Sequence, residues 1–170
     1  MDRELKDRIR KLKLVVSDCD GVLTDGGLYY LEDGQEMKRF HVLDGMGFLR
    51  LQEHGVKTGL ITGENNELVK KRAHKLQIDY IILGTKDKLG ALQSICEDLR
   101  IGIWEAAYIG DDVFDVPAIE NCGFGVVPAD ALPYIRKKAD YVTEKGGGKG
   151  CFREISDIIL REKEISLLEE

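Results

Sequence analysis

The sequence predicts a doubly wound α/β domain with a parallel sheet, and three observations predict it. Short apolar runs recur at 14–17, 58–62, 80–83, 106–109, 125–127 and 141–142, each bounded by turn residues. Longer segments with helical punctuation separate them, the alternation expected of parallel strands joined by crossover helices. Chemically active side chains collect just after the strand signals, where such sheets bind their ligands.

The elements follow in chain order. Residues 2–12 predict a short amphipathic helix, and 14–17 a buried strand that ends in Asp18-Cys19-Asp20-Gly21. The segment 27–42 breaks the rhythm: Leu28-Tyr29-Tyr30-Leu31 and Met37-Lys38-Arg39-Phe40 flank Asp33-Gly34, which predicts a hairpin projecting from the sheet. An isolated ribbon is marginal in water, so its aromatic residues point to packing against another subunit. Asp44 is positioned to cap a helix that runs through Glu53 and stops at Gly55. After the strand at 58–62, a helix over 64–76 turns Leu68, Ala73 and Leu76 to one side. The strand at 80–83 precedes a helix over 86–99, and the strand at 106–109 precedes one over 113–122. A glycine-rich loop at 146–150 leads into a last helix beginning near Phe152.

The chain of 170 residues predicts one domain, 1–170, with the hairpin 27–42 as an insertion within it. Its four cysteines are widely spaced and include no Cys-x-x-Cys pair, which disfavours a zinc knuckle and a disulfide scaffold. The first residues are charged and no apolar run approaches the length of a membrane span, so the expectation is a cytoplasmic protein without a membrane partner. A net charge of −6 argues against broad nucleic-acid binding.

Four strand ends deliver a polar set. The first carries Asp18 and Asp20, spaced so that an extended chain aims both at one side. The second ends in Thr62-Gly63, the third leads to Lys88, and the fourth ends in Gly110-Asp111-Asp112, followed by Asp115. Two carboxylates, a hydroxyl, a lysine and glycine-freed amides are what phosphoryl transfer through an aspartyl phosphate requires. In that reading Asp18 is the nucleophile, and Asp20 is the acid that protonates the leaving oxygen and then the base that activates water. Asp18 and Asp111 offer hard oxygen donors for Mg²⁺, while Thr62, Gly63 and Lys88 surround the phosphoryl oxygens. Asp112 and Asp115 support the set.

These residues resemble the motifs of the haloacid dehalogenase superfamily, matched by Asp18-Cys19-Asp20-Gly21-Val22-Leu23-Thr24-Asp25-Gly26, Thr62-Gly63, Lys88 and Gly110-Asp111-Asp112-Val113-Phe114-Asp115. The resemblance implies the sheet of that superfamily, and a backbone carbonyl of Asp20 as a further Mg²⁺ ligand. The hairpin, the segment from Phe40 to Gly47 and the segment from Gly147 to Glu154 are similar to the capless phosphatases of ketodeoxyoctonate 8-phosphate and related acidic sugars. What this implies is a homotetramer in which a neighbouring subunit completes the active site, with His41, Val42, Leu43, Asp44, Gly45 and Arg72 at the substrate beside Asp20. Glu64 after Thr-Gly, Leu49 where the octulosonate enzymes carry arginine, and Lys75 on the same helix as Arg72 look more like the branch acting on ketodeoxynononate or N-acetylneuraminate 9-phosphate. The main expectation is therefore the nine-carbon substrate, with the octulosonate phosphatase of lipopolysaccharide biosynthesis as its alternative.

Two readings of other classes compete. A phospho-receiver domain also combines acids, Mg²⁺, Thr and Lys, but in it Thr and Lys follow the phospho-accepting Asp, whereas here Thr62 and Lys88 precede the second acidic pair. A non-catalytic assembly module of the same shape needs none of the polar set, yet all of it is present.

Overall fold

In the computed structural model, which describes residues 1–168, helix α1 (Arg3–Arg10) starts at Asp2, whose carboxylate accepts the Leu5 N–H at 2.9 Å, and it buries Leu5 and Ile9. Strand β1 (Leu14–Ser17) follows, fully buried. The expected hairpin forms from β2 (Tyr29–Tyr30) and β3 (Glu36–Met37), antiparallel with Tyr29 opposite Met37, and Gly34 adopts φ +83° in the turn. Next come α2 (Val42–Glu53), β4 (Lys57–Ile61), α3 (Glu67–Lys75), β5 (Tyr80–Ile82) and α4 (Lys88–Leu99). A 3-10 turn at Ile103–Glu105 leads to β6 (Ala106–Ile109), α5 (Val116–Asn121), β7 (Phe124–Val127), α6 (Pro133–Arg136), β8 (Tyr141–Val142) and α7 (Cys151–Glu162).

Six strands form one sheet in the order β5-β4-β1-β6-β7-β8, with every neighbouring pair parallel. β1 lies where the order reverses, with β4 on one side and β6 on the other, so the crevice beyond its carboxyl end is the natural ligand site. Both faces are covered. Val15 joins a layer with Ile9, Phe48, Ala73 and Phe152 from α1, α2, α3 and α7, while Leu14 and Val16 join Leu92, Ile119 and Ile135 from α4, α5 and α6. Helices on both faces explain why the strands read as unbroken apolar runs rather than as alternation.

The contact of α2 with α7 is close because Gly47 has no side chain: a Cβ there would lie 2.7 Å from Ser156 Oγ and 3.2 Å from Arg153 Cα. Beside it, Phe48 and Phe152 stack with ring centroids 3.8 Å apart. The hairpin projects with Tyr29, Tyr30, Leu31 and Met37 exposed, and no insertion among the described residues is large enough to form a cap domain. No helix among them is long and apolar enough to cross a membrane.

Four helix starts differ from the sequence reading: α5 begins at Val116 rather than Val113, and in the other three another residue supplies the cap. His41 Nδ1 accepts the Leu43 N–H at 3.2 Å and starts α2, so Asp44 is no cap; it is buried and accepts the Arg153 N–H at 3.0 Å from α7. Asn66 caps α3 through Leu68 N–H at 2.8 Å, which leaves Glu64 in a loop, and Asp87 caps α4 through Gly90 N–H at 2.9 Å, which makes Lys88 its first residue.

Overpacking the α2–α7 contact should be costly. Gly47→Val is expected to lower unfolding free energy by about 1–3 kcal/mol, read as a lower urea midpoint at unchanged slope.

Candidate active site

The site grows outward from the carboxyl end of β1. The Asp18 N–H donates to Ile109 O at 2.9 Å, which carries the extended chain one residue past the strand. Asp18 and Asp20 consequently face the cleft, while Cys19 between them is buried in the α2–α7 layer. Gly21 then turns the chain at φ +78°, and a Cβ there would overlap the Asp111 carboxylate. Glycine is therefore required on two counts, backbone conformation and approach.

Lys88 binds the cluster together. It is 4% exposed, and its Nζ donates to Asp18 Oδ1 at 2.7 Å, Ile61 O at 3.2 Å and Asp115 Oδ1 at 3.3 Å. Asp115 is itself buried and saturated: Tyr108 Oη donates to Oδ1 at 2.7 Å, and the Asp111 and Asp112 N–H groups each donate to Oδ2 at 3.1 Å. Asp115 thus fixes the loop that presents Asp111, and Gly110 leaves room for it, since a Cβ there would overlap the Asp115 carboxyl. Burial first, then the Asp115 charge, pushes the Asp18 carboxyl above its usual range against the pull of Lys88. Burial and the neighbouring Asp18, Asp115 and Asp112 push Asp111 up to about 8. Burial works against the charge on Lys88, but Asp18 and Asp115 outweigh it and raise its pKa.

Thr62 closes the opposite wall. Its N–H donates to Ile82 O at 3.0 Å and its hydroxyl accepts the Glu64 N–H at 3.3 Å, which orders the loop carrying Gly63. Asp18, Asp20, Thr62, Gly63, Glu64, Lys88, Asp111, Asp112 and Asp115 all line one pocket of about 480 Å³. Behind the Asp20 turn, Gly147 and Gly148 press against the backbone of Gly21, Thr24 and Asp25, and the Gly148 N–H donates to Val22 O at 2.8 Å.

The other residues expected at the substrate do not reach this pocket within one chain. His41, Val42, Leu43, Asp44 and Gly45 lie at the start of α2, and Arg72 and Lys75 near the end of α3. Arg72 donates to His41 O at 3.3 Å and lies 5.7 Å over the Phe40 ring, so within one chain it contacts α2 and its approach rather than the pocket; Lys75, Val42 and Leu43 are exposed. Sequence reasoning also missed members of the site. Tyr108 reads as one more strand residue, and Lys86 with Phe114 forms a rim, Nζ 5.2 Å from the ring centroid. Lys38 Nζ donates to Asp20 Oδ2 at 2.7 Å and to Glu64 Oε2 at 2.6 Å. For Lys38 no strand-end signal exists; only its place in the hairpin brings it there.

The donor set fits a hard divalent cation. Carboxylate oxygens of Asp18, Asp111 and Asp115 lie within 4.8 Å of one another. With Asp115 saturated by donors, Asp18 and Asp111 are the carboxylates open to Mg²⁺, an ion that keeps several waters and takes only one or two protein carboxylates.

Comparison with known proteins agrees with this chemistry. A family profile described as haloacid dehalogenase-like hydrolase matches residues 64–155. The chain is 36% identical over 157 residues to the 3-deoxy-D-manno-octulosonate 8-phosphate phosphatase of Haemophilus influenzae, a match covering 92% of this chain and 87% of that one. It is 38% identical over 153 residues to the protein of the same name from Escherichia coli K12, covering 90% and 81%. The structure is similar to that of the Moraxella catarrhalis 3-deoxy-D-manno-octulosonate 8-phosphate phosphatase in complex with magnesium ion, phosphate ion and KDO molecule. That likeness has TM-score 0.93 and 37% identity, and covers 96% of this chain and 94% of that one. A cobalt-bound form of the Haemophilus influenzae phosphatase superposes with TM-score 0.89 at 36% identity, covering 92% of each chain.

The raised acids tie metal binding to pH. Asp111, ordinarily near 3.8, keeps its proton up to about 8 in the folded chain, so between those values the folded state binds more protons than the unfolded state. Stability of the metal-free protein should therefore fall as pH rises through that window. Mg²⁺ must displace the same proton, so calorimetric titration should find tighter binding at about pH 8.5 than at about pH 6, with proton release. Equal affinities at the two pH values would contradict this.

Proposed function

Because the chain belongs to the haloacid dehalogenase superfamily and is a Mg²⁺-dependent phosphoric monoester hydrolase, we propose that it cleaves the phosphate ester of an acidic keto sugar through an aspartyl phosphate on Asp18. The observation that carries this reading is one cleft holding Asp18 and Asp20 together, with the Lys88 ammonium 2.7 Å from Asp18.

In the first step an Asp18 carboxylate oxygen attacks phosphorus, the phosphorus–sugar oxygen bond breaks, and Asp20 delivers its proton to the departing oxygen. In the second, Asp20 takes a proton from water as that water attacks phosphorus, and the Asp18–phosphorus bond breaks to release inorganic phosphate. Lys88 orients Asp18 and pulls it toward its charged form, and with Thr62 and the Gly63 amide it stabilises charge on the equatorial oxygens. Asp18, Asp111 and the Asp20 carbonyl would hold Mg²⁺, which would supply positive charge to offset repulsion between nucleophile and phosphate. Asp112 and Asp115 hold the loop carrying Asp111.

For the substrate we favour the eight-carbon acid, 3-deoxy-D-manno-octulosonate 8-phosphate, over the nine-carbon acid that Glu64 and Lys75 suggest in the sequence. The names of the similar proteins support this choice. So does the position of Glu64, whose carboxylate is engaged by Lys38 at 2.6 Å. A pocket open to solvent on a capless fold needs a cover, and a homotetramer built on the hairpins would provide one. The exposure of Tyr29 at 50% and Tyr30 at 67% supports that assembly, in which His41 to Gly45 and Arg72 act across the subunit boundary.

Asp18→Asn should reduce turnover by about 10⁴-fold or more while leaving the oligomer intact. Initial rates on matched eight- and nine-carbon keto-acid phosphates should give the larger kcat/KM for the former, and a preference for the latter would refute the substrate choice. Tyr30→Asp should shift the sedimentation profile toward smaller species; an unchanged profile would remove the hairpin from the interface.

A further inference from the structure

We propose that Lys38, delivered by the hairpin, is a positioning residue that holds the Asp20 carboxylate toward the leaving-group oxygen, with Glu64 as its anchor. This rests on the phosphatase reading above and deepens it by giving the acid/base its own support.

The geometry is that of a built contact. The Lys38 side chain is 0% exposed although it originates on a projecting ribbon. Its Nζ donates to Asp20 Oδ2 at 2.7 Å and to Glu64 Oε2 at 2.6 Å, and lies 3.5 Å from Glu36 Oε1. The other Asp20 oxygen, Oδ1, accepts the Thr24 hydroxyl at 3.2 Å. Both carboxylate oxygens are thus fixed from the protein side, and the carboxyl group cannot rotate without breaking a charged hydrogen bond. An ammonium gripped by two carboxylates, those of Asp20 and Glu64, is a fixed support for the Asp20 carboxyl group. Glu64 completes the arrangement: without it, the long lysine chain would have one strong partner rather than two and more rotamers to choose from.

The arrangement repeats, on the acid/base, what Lys88 does for the nucleophile. Lys88 bridges Asp18 and Asp115; Lys38 bridges Asp20 and Glu64. The difference lies in origin, since Lys88 opens a helix of the sheet scaffold and Lys38 comes from the insertion.

A residue that merely fastened the hairpin would affect all substrates alike. One that positions Asp20 matters for the first step only when the leaving oxygen needs a proton. The experiment is pre-steady-state cleavage, with ester in excess over enzyme, by wild type, Lys38→Met, Lys38→Arg and Glu64→Gln of two esters: a keto-sugar-acid phosphate with an alkoxide leaving group, and p-nitrophenyl phosphate, whose phenolate departs unassisted. For Lys38→Met, cleavage of the sugar phosphate should fall about 10²-fold, the scale of general-acid assistance. The p-nitrophenol burst should change less than about threefold, followed by slow turnover because Asp20 is also needed as base. Lys38→Arg should recover part of the sugar-phosphate rate, and Glu64→Gln should lose rate in the same substrate-selective way. Equal losses on both esters, or none on either, would overturn the role of Lys38. If Lys38→Met does not fold, the selectivity of Glu64→Gln decides in the same manner. A wild-type chain that cleaves neither ester would overturn the phosphatase reading itself, and this inference with it.

Discussion

The structure depends on one constraint: acidic side chains must be crowded at the end of a buried sheet without driving each other apart. At separations of about 4 Å, like charges in a partly buried site repel by several kcal/mol, enough to distort a loop or force protonation. Lys88 resolves the conflict where it is worst. Its ammonium lies between Asp18 and Asp115, and Asp115 in turn takes two backbone N–H groups and the Tyr108 hydroxyl. The same set of bonds that neutralises the cluster also shapes the loop after β6, so the electrostatics and the backbone geometry are not separable. Removing one partner of such a buried set costs about 3–5 kcal/mol, since the remaining charge is left without compensation.

The division between chemistry and recognition follows the fold. In the proposed reaction, the residues at the phosphate follow the ends of parallel strands, whose positions are fixed by the sheet on both sides of β1. The residues that the resemblance assigns to the sugar lie on α2 and α3, which cover one face of the sheet, and in one chain they contact each other instead of the pocket. Chemistry can therefore stay constant while recognition changes, because different parts of the scaffold carry the two.

How much could be read from the sequence follows the same division. The sheet was legible because strands buried on both faces are written as apolar runs, and Asp18, Asp20, Thr62, Gly63, Lys88 and Asp111 were legible because each follows the end of such a run. Helix starts were less so. The sequence reading started these helices at Asp44, Glu64 and Lys86, but His41, Asn66 and Asp87 make the actual cap bonds. Lys38 and Tyr108 were invisible for a different reason: their partners lie 18 and 7 residues away in sequence, with no periodicity to connect them. That Lys38 engages Glu64, which lines the pocket, was equally invisible.

The glycine contact behind the Asp20 turn bears on how such a molecule comes into being on the ribosome. The turn from Gly21 to Asp25 is pressed into shape by the backbone of Gly147 and Gly148, and the Cys151 thiol reaches back 129 positions to Val22 O. Asp18 and Asp20 are synthesised well before the glycine loop whose backbone shapes the turn beside them. A nascent chain released before that loop has emerged would carry both aspartates on a strand and no finished turn to aim them, which delays reactivity until the fold is closed.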